Sequence, residues 1–416
     1  EIHSGDWSSD VCSSDLATRT AVTAGNRFVV TAKDTSTILA DAKAGAVSAS
    51  LAGSNAIAIS VGLSLAENTI DTIVLASVDN PGTIVAPGGI VVTATNDATV
   101  TVSSLAVAVS LAAAGTTGVA FAGGGAVAQN QIVTTTNAQV VGALMGTSAT
   151  PVSAVTVVAE STGTITATVV GVAGSLAFGG TTGVAVALGI AVARNMIGHH
   201  QIAVTPTHRT TDTNVTTLNT GDLVLIVDTN TSGGASTRGP PSSARAGETY
   251  RYLGPTRTLA AGFDLAGMDY SDVSTWQRAD LATVATGTTA LILASDIIAS
   301  GAVRVTATNT SVIEAFVLAG AVAIGGGGTT GVALSGAGVY AENRINTSTT
   351  ATVDGLAATA RTLRAASLAV TATDNSAIRV RALGASLAGS AGGTAGVAIS
   401  IGLALAFNSL DLVTSA

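Results

Sequence analysis

The chain has 416 residues, with 25 acidic and 17 basic side chains for a formal charge of −8; 47% of it is apolar, yet only 3% is aromatic and 10% charged. So few charges beside so much apolar surface exclude a disordered segment, which needs the opposite balance, and the acidic excess leaves no cationic footprint for nucleic acid. With 48 glycines, the apolar content is Ala, Val, Leu and Ile, which suits thin, closely packed layers better than a core built on large rings.

Residues 1–16 stand apart from everything after them. The run Asp6-Trp7-Ser8-Ser9-Asp10-Val11-Cys12-Ser13-Ser14-Asp15-Leu16 resembles the in-frame translation of a sequencing-library adaptor, and it holds the only Cys and one of the two Trp. We set it aside as adaptor-derived. Removing Glu1, Asp6, Asp10 and Asp15 takes the formal charge from −8 to −4. The rest is free of cysteine, which suits a large exported chain in which a stray thiol would mispair.

From there the chain repeats itself. Val30-Thr31-Ala32, Val92-Thr93-Ala94, Val157-Val158-Ala159, Val305-Thr306-Ala307 and Val370-Thr371-Ala372 open five related segments. At one fixed offset after each Ala stands Ala56, Gly118, Gly183, Gly331 or Gly396, and at a second fixed offset stands Asn68, Asn130, Asn195, Asn343 or Asn408. Both offsets are the same in all five copies. The spacing between copies is 62 from Ala32 to Ala94, 65 from Ala94 to Ala159 and 65 from Ala307 to Ala372, but 148 from Ala159 to Ala307. An insertion longer than a whole repeat therefore interrupts the third copy, and we expect it at a connection, where stacked repeats tolerate extra chain best. The organisation is three repeats over 17–204, an inserted module over 205–296, and two repeats over 297–416, the last one cut short.

Each repeat reads as β. Before Asn408, Val397, Ile399, Ile401, Leu403, Leu405 and Phe407 alternate with Ala398, Ser400, Gly402, Ala404 and Ala406. A period of two puts large side chains on one face of a strand and small ones on the other, where a helix would scatter both sets. Neither face is polar, so both need cover. The large face is expected to fill a core, and the Ala/Ser/Gly face to let a second layer approach closely or to line a tight interior. The second to fourth copies carry a Gly-Thr-Thr-Gly turn at 115–118, 180–183 and 328–331, and the last a Gly-Thr-Ala-Gly at 393–396. Before that point the pattern differs: Asp41 and Lys43, Thr166 and Thr168, or Arg379 and Arg381 alternate with apolar neighbours, as on a strand with one wet face. The marker Asn residues either stack as a ladder of amides or end strands at turns. The fold class is all-β, a parallel β-helix-like solenoid, with antiparallel hairpins stacked on an axis as the alternative.

The insertion differs in texture. It carries Tyr250, Tyr252, Tyr270 and Trp276, six of the Arg, and Pro240-Pro241. Aromatics of this kind dominate binding hot spots, so the four rings are a candidate contact surface. The competing reading makes them the mini-core of a module too small to spare them.

No catalytic constellation emerges, and we expect neither enzyme activity nor a cofactor or metal. Gly326, Gly328 and Gly331 have the spacing of a dinucleotide-binding motif, but a strand follows where a helix is needed. His199 and His200 would point to opposite faces of a strand, with His208 in a loop. Asp264, Asp269 and Asp272 lack the spacing of a calcium loop. The apolar run Val102 to Ala128 has the glycines and the period of strands, so no membrane insertion is expected of it.

Val-Thr-Ala-Thr openings, Gly-Thr-Thr-Gly-Val-Ala turns and Ala-x-Asn-x-Ile closings resemble the β-strand-repeat surface proteins of Gram-negative bacteria, the large filamentous adhesins that include the leukotoxin-type group. Tyr250-Arg251-Tyr252-Leu253-Gly254, Asp269-Tyr270-Ser271-Asp272 and Trp276 are similar to a module that recurs in them. The resemblance implies an extracellular, cell-surface location and a stalk that serves adhesion, biofilm or self-association, with a surface ligand, a glycan or a second copy as partner. It carries over no active-site residues. The competing expectations are a membrane-active passenger, as a β-barrel or a toxin, and a β-helix protein acting on polysaccharide.

Overall fold

The computed structural model describes residues 21–201, 205–212, 215–227, 249–260, 263–270, 272, 275–278, 281–283, 287–355 and 361–416. Where the alternation of large and small residues runs unbroken, the chain runs as one long strand. Ile90–Ala114 has 25 residues and Thr117–Met145 has 29, roughly 80 Å or more at ~3.3 Å per residue. Two such strands make one coil. The first runs out to the Gly-Thr-Thr-Gly turn and the second returns from it, and the turn carries the chain from one sheet to the other.

The outgoing sheet stacks five rows in parallel: Phe28–Asp34 with Thr37–Ala52, Ile90–Ala114, Val155–Gly179, Ala302–Gly327, and Ser367–Asp374 with Ala377–Gly392. The return sheet stacks Asn55–Val85, Thr117–Met145, Thr182–Ile197 with Gly287–Leu293, Thr330–Asp354 and Ala395–Ser415, also in parallel. This is the solenoid, not a pile of hairpins, because each strand bonds its counterparts in neighbouring coils and faces its own partner across the core. The sequence markers fall in register: Ala32, Ala94, Ala159, Ala307 and Ala372 share one row, and the five marker Asn share another. The turns stack as well. Thr116 N–H donates to Ser54 O, Thr181 N–H to Thr116 O, Thr329 N–H to Thr181 O and Thr394 N–H to Thr329 O, at 2.8–2.9 Å.

The small face lines a tight interior, one of its two expected roles, but the large face does not fill the core near the turn. Near the turn, the small set points inward: Ala120, Ala122, Ala126 and Ala128 are fully buried, as are Ala185, Ala191 and Ala193. The large set points out, with Leu188 43% and Ile190 42% exposed. The cause is the closeness of the two sheets. A Cβ added to Gly171 would lie 2.0 Å from Ile190 O in the opposite sheet, and one added to Gly189 would lie 2.2 Å from Gly320 O. At these points the sheets approach more closely than the ~10 Å usual for packed sheets, and Ala, Ser and Gly are the residues that fit. Away from the turn the core takes larger residues. Ile70, Ile132, Ile197 and Ile345 of the return sheet pack with Val100, Ile165 and Ile313 of the outgoing sheet. At the far end Val92, Val157, Val305, Val140 and Ile292 fill the space.

The insertion forms its own compact unit, His199–Val284. It interrupts a strand, where the spacing pointed to a connection. Thr182–Ile197 fills the first part of the third return row, and Gly287–Leu293, inside the span that composition assigns to the insertion, completes the same row between Thr136–Val141 and Ser348–Asp354. Within the unit, Leu223–Leu225, Thr249–Tyr252 and Trp276–Arg278 pair antiparallel, and His208–Arg209 adds to Leu223–Leu225 in parallel.

Candidate functional site

Four of the marker asparagines stand inside long strands and Asn195 two residues before the end of Thr182–Ile197, but all five face into the solenoid on one row, so the ladder reading holds. Asn68 Nδ2 donates to Asn130 Oδ1 at 2.8 Å, Asn130 to Asn195 at 2.8 Å, Asn195 to Asn343 at 2.8 Å and Asn343 to Asn408 at 3.0 Å. Asn195 and Asn343 have no exposed surface. An amide can both donate to one neighbour and accept from the other along a parallel stack, and bonds in such a chain polarise one another. The marker glycines serve the turn-side core. A Cβ on Gly118 would meet Phe178 O at 2.3 Å, on Gly183 Gly326 O at 2.1 Å and on Gly331 Ala391 O at 2.2 Å, whereas Gly396 in the last coil has nothing closer than Ser390 Oγ at 3.3 Å. Gly326 and Gly328 belong to this same turn region.

A second polar row crosses the outgoing sheet, and its mixed Asp, Asn and Ser residues give no repeated marker in the sequence. Asp34, Asn96, Ser161, Asn309 and Asp374 share a position of the outgoing sheet. Asn96 Nδ2 donates across the core to Thr72 Oγ1 at 2.9 Å. Asp374 Oδ2 accepts from Asn309 Nδ2 at 3.0 Å, Thr347 Oγ1 at 2.8 Å and Thr349 Oγ1 at 3.1 Å. The two acids occupy the half-buried first and last coils, and the neutral residues occupy the buried middle ones. Charge is kept where water reaches it.

The outer surface divides in two along the strands. Between Lys43 and Glu67, Glu160 and Arg194, Glu314 and Glu342, and Arg381 and Asp411, no charged residue occurs. Each of those segments spans a turn. Glu342 marks the border on the return sheet: its nearly buried carboxylate accepts from Arg194 Nε at 3.2 Å, Arg344 Nε at 2.9 Å and Tyr340 Oη at 2.8 Å. On the turn side of that border the return sheet presents bare Val, Leu and Ile outward, in an order set by coil. One row reads Val61, Gly123, Leu188, Gly336, Ile401, and the next reads Leu63, Gly125, Ile190, Gly338, Leu403. In these two rows large and absent side chains alternate from coil to coil, so ridges on coils 1, 3 and 5 flank short furrows on coils 2 and 4. The furrows are closed along the strand by Phe121 and Val127 on coil 2 and by Leu334 and Tyr340 on coil 4. The furrow on coil 4 is an apolar groove of about 470 Å³ between Leu188 and Ile190 on one side and Ile401 and Leu403 on the other.

In the insertion the four rings cluster. Tyr252, Tyr270 and Trp276 are buried and Tyr250 is half-buried, with centroids 5.1 Å apart for Tyr250–Tyr270, 5.2 Å for Tyr252–Trp276 and 4.6 Å for Tyr270–Trp276. They form the module's core with Leu218, Val224 and Leu265, and three of the four have almost no surface to offer a ligand. The Tyr270 phenol donates to Leu265 O at 2.9 Å. Burial, and then the Asp264 carboxylate, push its pKa far above the ordinary value.

The remaining candidates are spread apart in their roles. His199 and His200 pair through the backbone with Thr283 and Ala282, and His208 Nε2 lies 3.2 Å from Asp222 Oδ2. Asp264 Oδ1 caps a turn by accepting from Ala266 N–H at 2.9 Å, and Asp272 Oδ2 accepts from Thr275 Oγ1 at 2.7 Å. Among the described residues no three His, Cys, Asp or Glu converge on a point where a metal ion could sit, and no helix is long and apolar enough to cross a membrane. Comparison of the chain with protein-family models, with curated proteins and with solved structures finds no match.

Proposed function

We propose that this chain is a structural and adhesive stalk segment of a large exported bacterial surface protein. Its coils supply a stiff scaffold, and its surfaces hold on to a cell-surface ligand, a glycan or another copy of itself. The observation that carries this reading is the asparagine spine, unbroken through five coils. A buried amide left without its partner is strongly unfavourable, so the spine ties each coil to the next and resists slippage along the stack. Solenoids of this kind derive their stability from neighbour-to-neighbour interfaces, which suits an element held under tension. A polysaccharide-cleaving β-helix would cluster its outward charges, whereas here some of them stand in opposite-charge pairs, such as Arg379 with Glu314, 3.0 Å apart.

The test is attachment. Beads coated with the full chain are expected to adhere to bacterial or host cells, or to one another, above uncoated beads, without releasing dye from lipid vesicles and without yielding soluble sugars from glycans. Dye release would replace the stalk with a membrane-active protein, and sugar release with an enzyme.

A further inference from the structure

The ridges and furrows of the return sheet have a use that a plain scaffold does not require. Val61, Leu63, Ile401 and Leu403 are each more than half exposed, and bare apolar faces of this extent mark interaction sites. The furrows between them are open at Gly123 and Gly338, whereas the flexible ends of Leu63 and Leu188 lean over Gly125 and Gly336, 2.8 Å and 3.2 Å from a Cβ built there. A Cβ on Gly338 would meet nothing within 4 Å, and one on Gly123 would meet only ordinary contacts at 3.6 Å or more. Glycine is therefore not demanded by the fold at these two positions, and its lack of a side chain serves something outside the solenoid.

We propose that the turn-side outer face of the return sheet is the docking surface for a second copy of this chain. The proposal rests on the stalk reading and names the partner for its self-association. The face is complementary to itself in its two glycine-bearing rows, while the rows beside them set apolar side chains against apolar ones, such as Ile59 against Leu334 and Leu65 against Tyr340. A two-fold axis lying in the interface along the strands, between coils 2 and 3, sets coil 1 of one copy over coil 4 of the other and coil 3 over coil 2. Val61 then meets Gly336, Leu63 meets Gly338, Leu188 meets Gly123 and Ile190 meets Gly125, each ridge entering a furrow. Such a contact is isologous and closes. Four facing coils at ~4.8 Å and about nine residues at ~3.3 Å give roughly 600 Å² of flat face per copy, or ~1,200 Å² in all before side-chain relief is added, which reaches the range of stable specific interfaces. No charge on the face opposes the approach. A lipid surface fits the pattern less well. Lipid would be served equally by an unbroken apolar face, and the rows lack the girdles of Trp and Tyr that mark membrane-spanning sheets.

Sedimentation velocity of the full chain, with Cys12→Ser to remove the thiol, tests this across a concentration series. A reversible dimer is expected. Gly123→Leu with Gly338→Leu fills two furrows while making the face more apolar, and is expected to weaken the dimer at least about tenfold, as overfilling a packed contact does, with an unchanged β circular-dichroism spectrum. Ile190→Thr, which removes a ridge, is expected to weaken it too. A monomeric wild type overturns the proposal, as does a furrow-filled variant that associates as well as or better than wild type. So does equal flotation of both proteins with phosphatidylcholine vesicles, which would assign the face to lipid. Loss of the dimer alone leaves the bead-attachment result standing, so this inference and the stalk reading fail separately.

Discussion

Asn195 sits midway along the spine, where it accepts from Asn130 and donates to Asn343. Asn195→Ala therefore removes two hydrogen bonds and strands one buried donor and one buried acceptor in its neighbours. At ~1–3 kcal/mol for each of the two unsatisfied buried groups, the loss should be about 2–6 kcal/mol in denaturant unfolding. Asn408 in the exposed last coil only accepts from Asn343 among its bonds within the spine, and Asn408→Ala should cost about 1 kcal/mol or less. Equal losses at the two positions would mean that the amides are not coupled. The recurrence of Asn was legible in the sequence, but its role was not, because strand ends and ladders both favour Asn. The deciding fact is position: Asn130 lies well inside Thr117–Met145, and only the full strand length reveals that.

At the scale of the element, the alternation was legible and its direction was not. With both sets apolar, polarity could not say which face is inside, and size suggested the larger. The clue lay in tolerance. The outward rows accept anything from Gly125 to Leu63, whereas the inward rows near the turn are built almost wholly of Ala, Ser and Gly. A core of large residues could not absorb a Gly without a cavity, while two sheets in near contact cannot absorb anything much larger than a methyl. Gly189→Ala should thus force the sheets apart at Gly320 and cost about 1–3 kcal/mol. Gly338→Ala, on the return sheet but facing out, should stay within ~0.5 kcal/mol of wild type. Matching costs would place both glycines in equivalent surroundings and contradict the inward packing of the small face. The insertion was likewise visible as a change of texture. Its point of exit was not, because a strand resumed after an entire inserted unit leaves only short matching runs, here Gly287–Leu293.

At the scale of the molecule, five coils keep one register despite unequal length. Coil 1 returns through 31 residues and then turns over the short run Ala86 to Gly89, whereas coil 2 returns through 29 residues and turns over the longer run Gly146 to Ala154. One of the two extra residues of the coil 1 strand is taken up by a bulge between Asp79 and Gly82, with Asn80 and Gly82 at positive φ, and the other, Val85, extends past the last pair Ile84–Met145, so the rows on either side of the bulge remain aligned. The solenoid requires that equivalent strands be direct neighbours within each sheet. Asp41, Ser103, Thr168, Phe316 and Arg381 form one outward row of the outgoing sheet. Spin labels at Asp41→Cys and Arg381→Cys, in a Cys12→Ser background, measure its span by pulsed electron resonance. Four steps of ~4.8 Å place the two backbones ~19 Å apart in the parallel solenoid. Stacked hairpins would interleave a second strand at every step and double that separation to ~38 Å, and a distance near the larger value would contradict the solenoid.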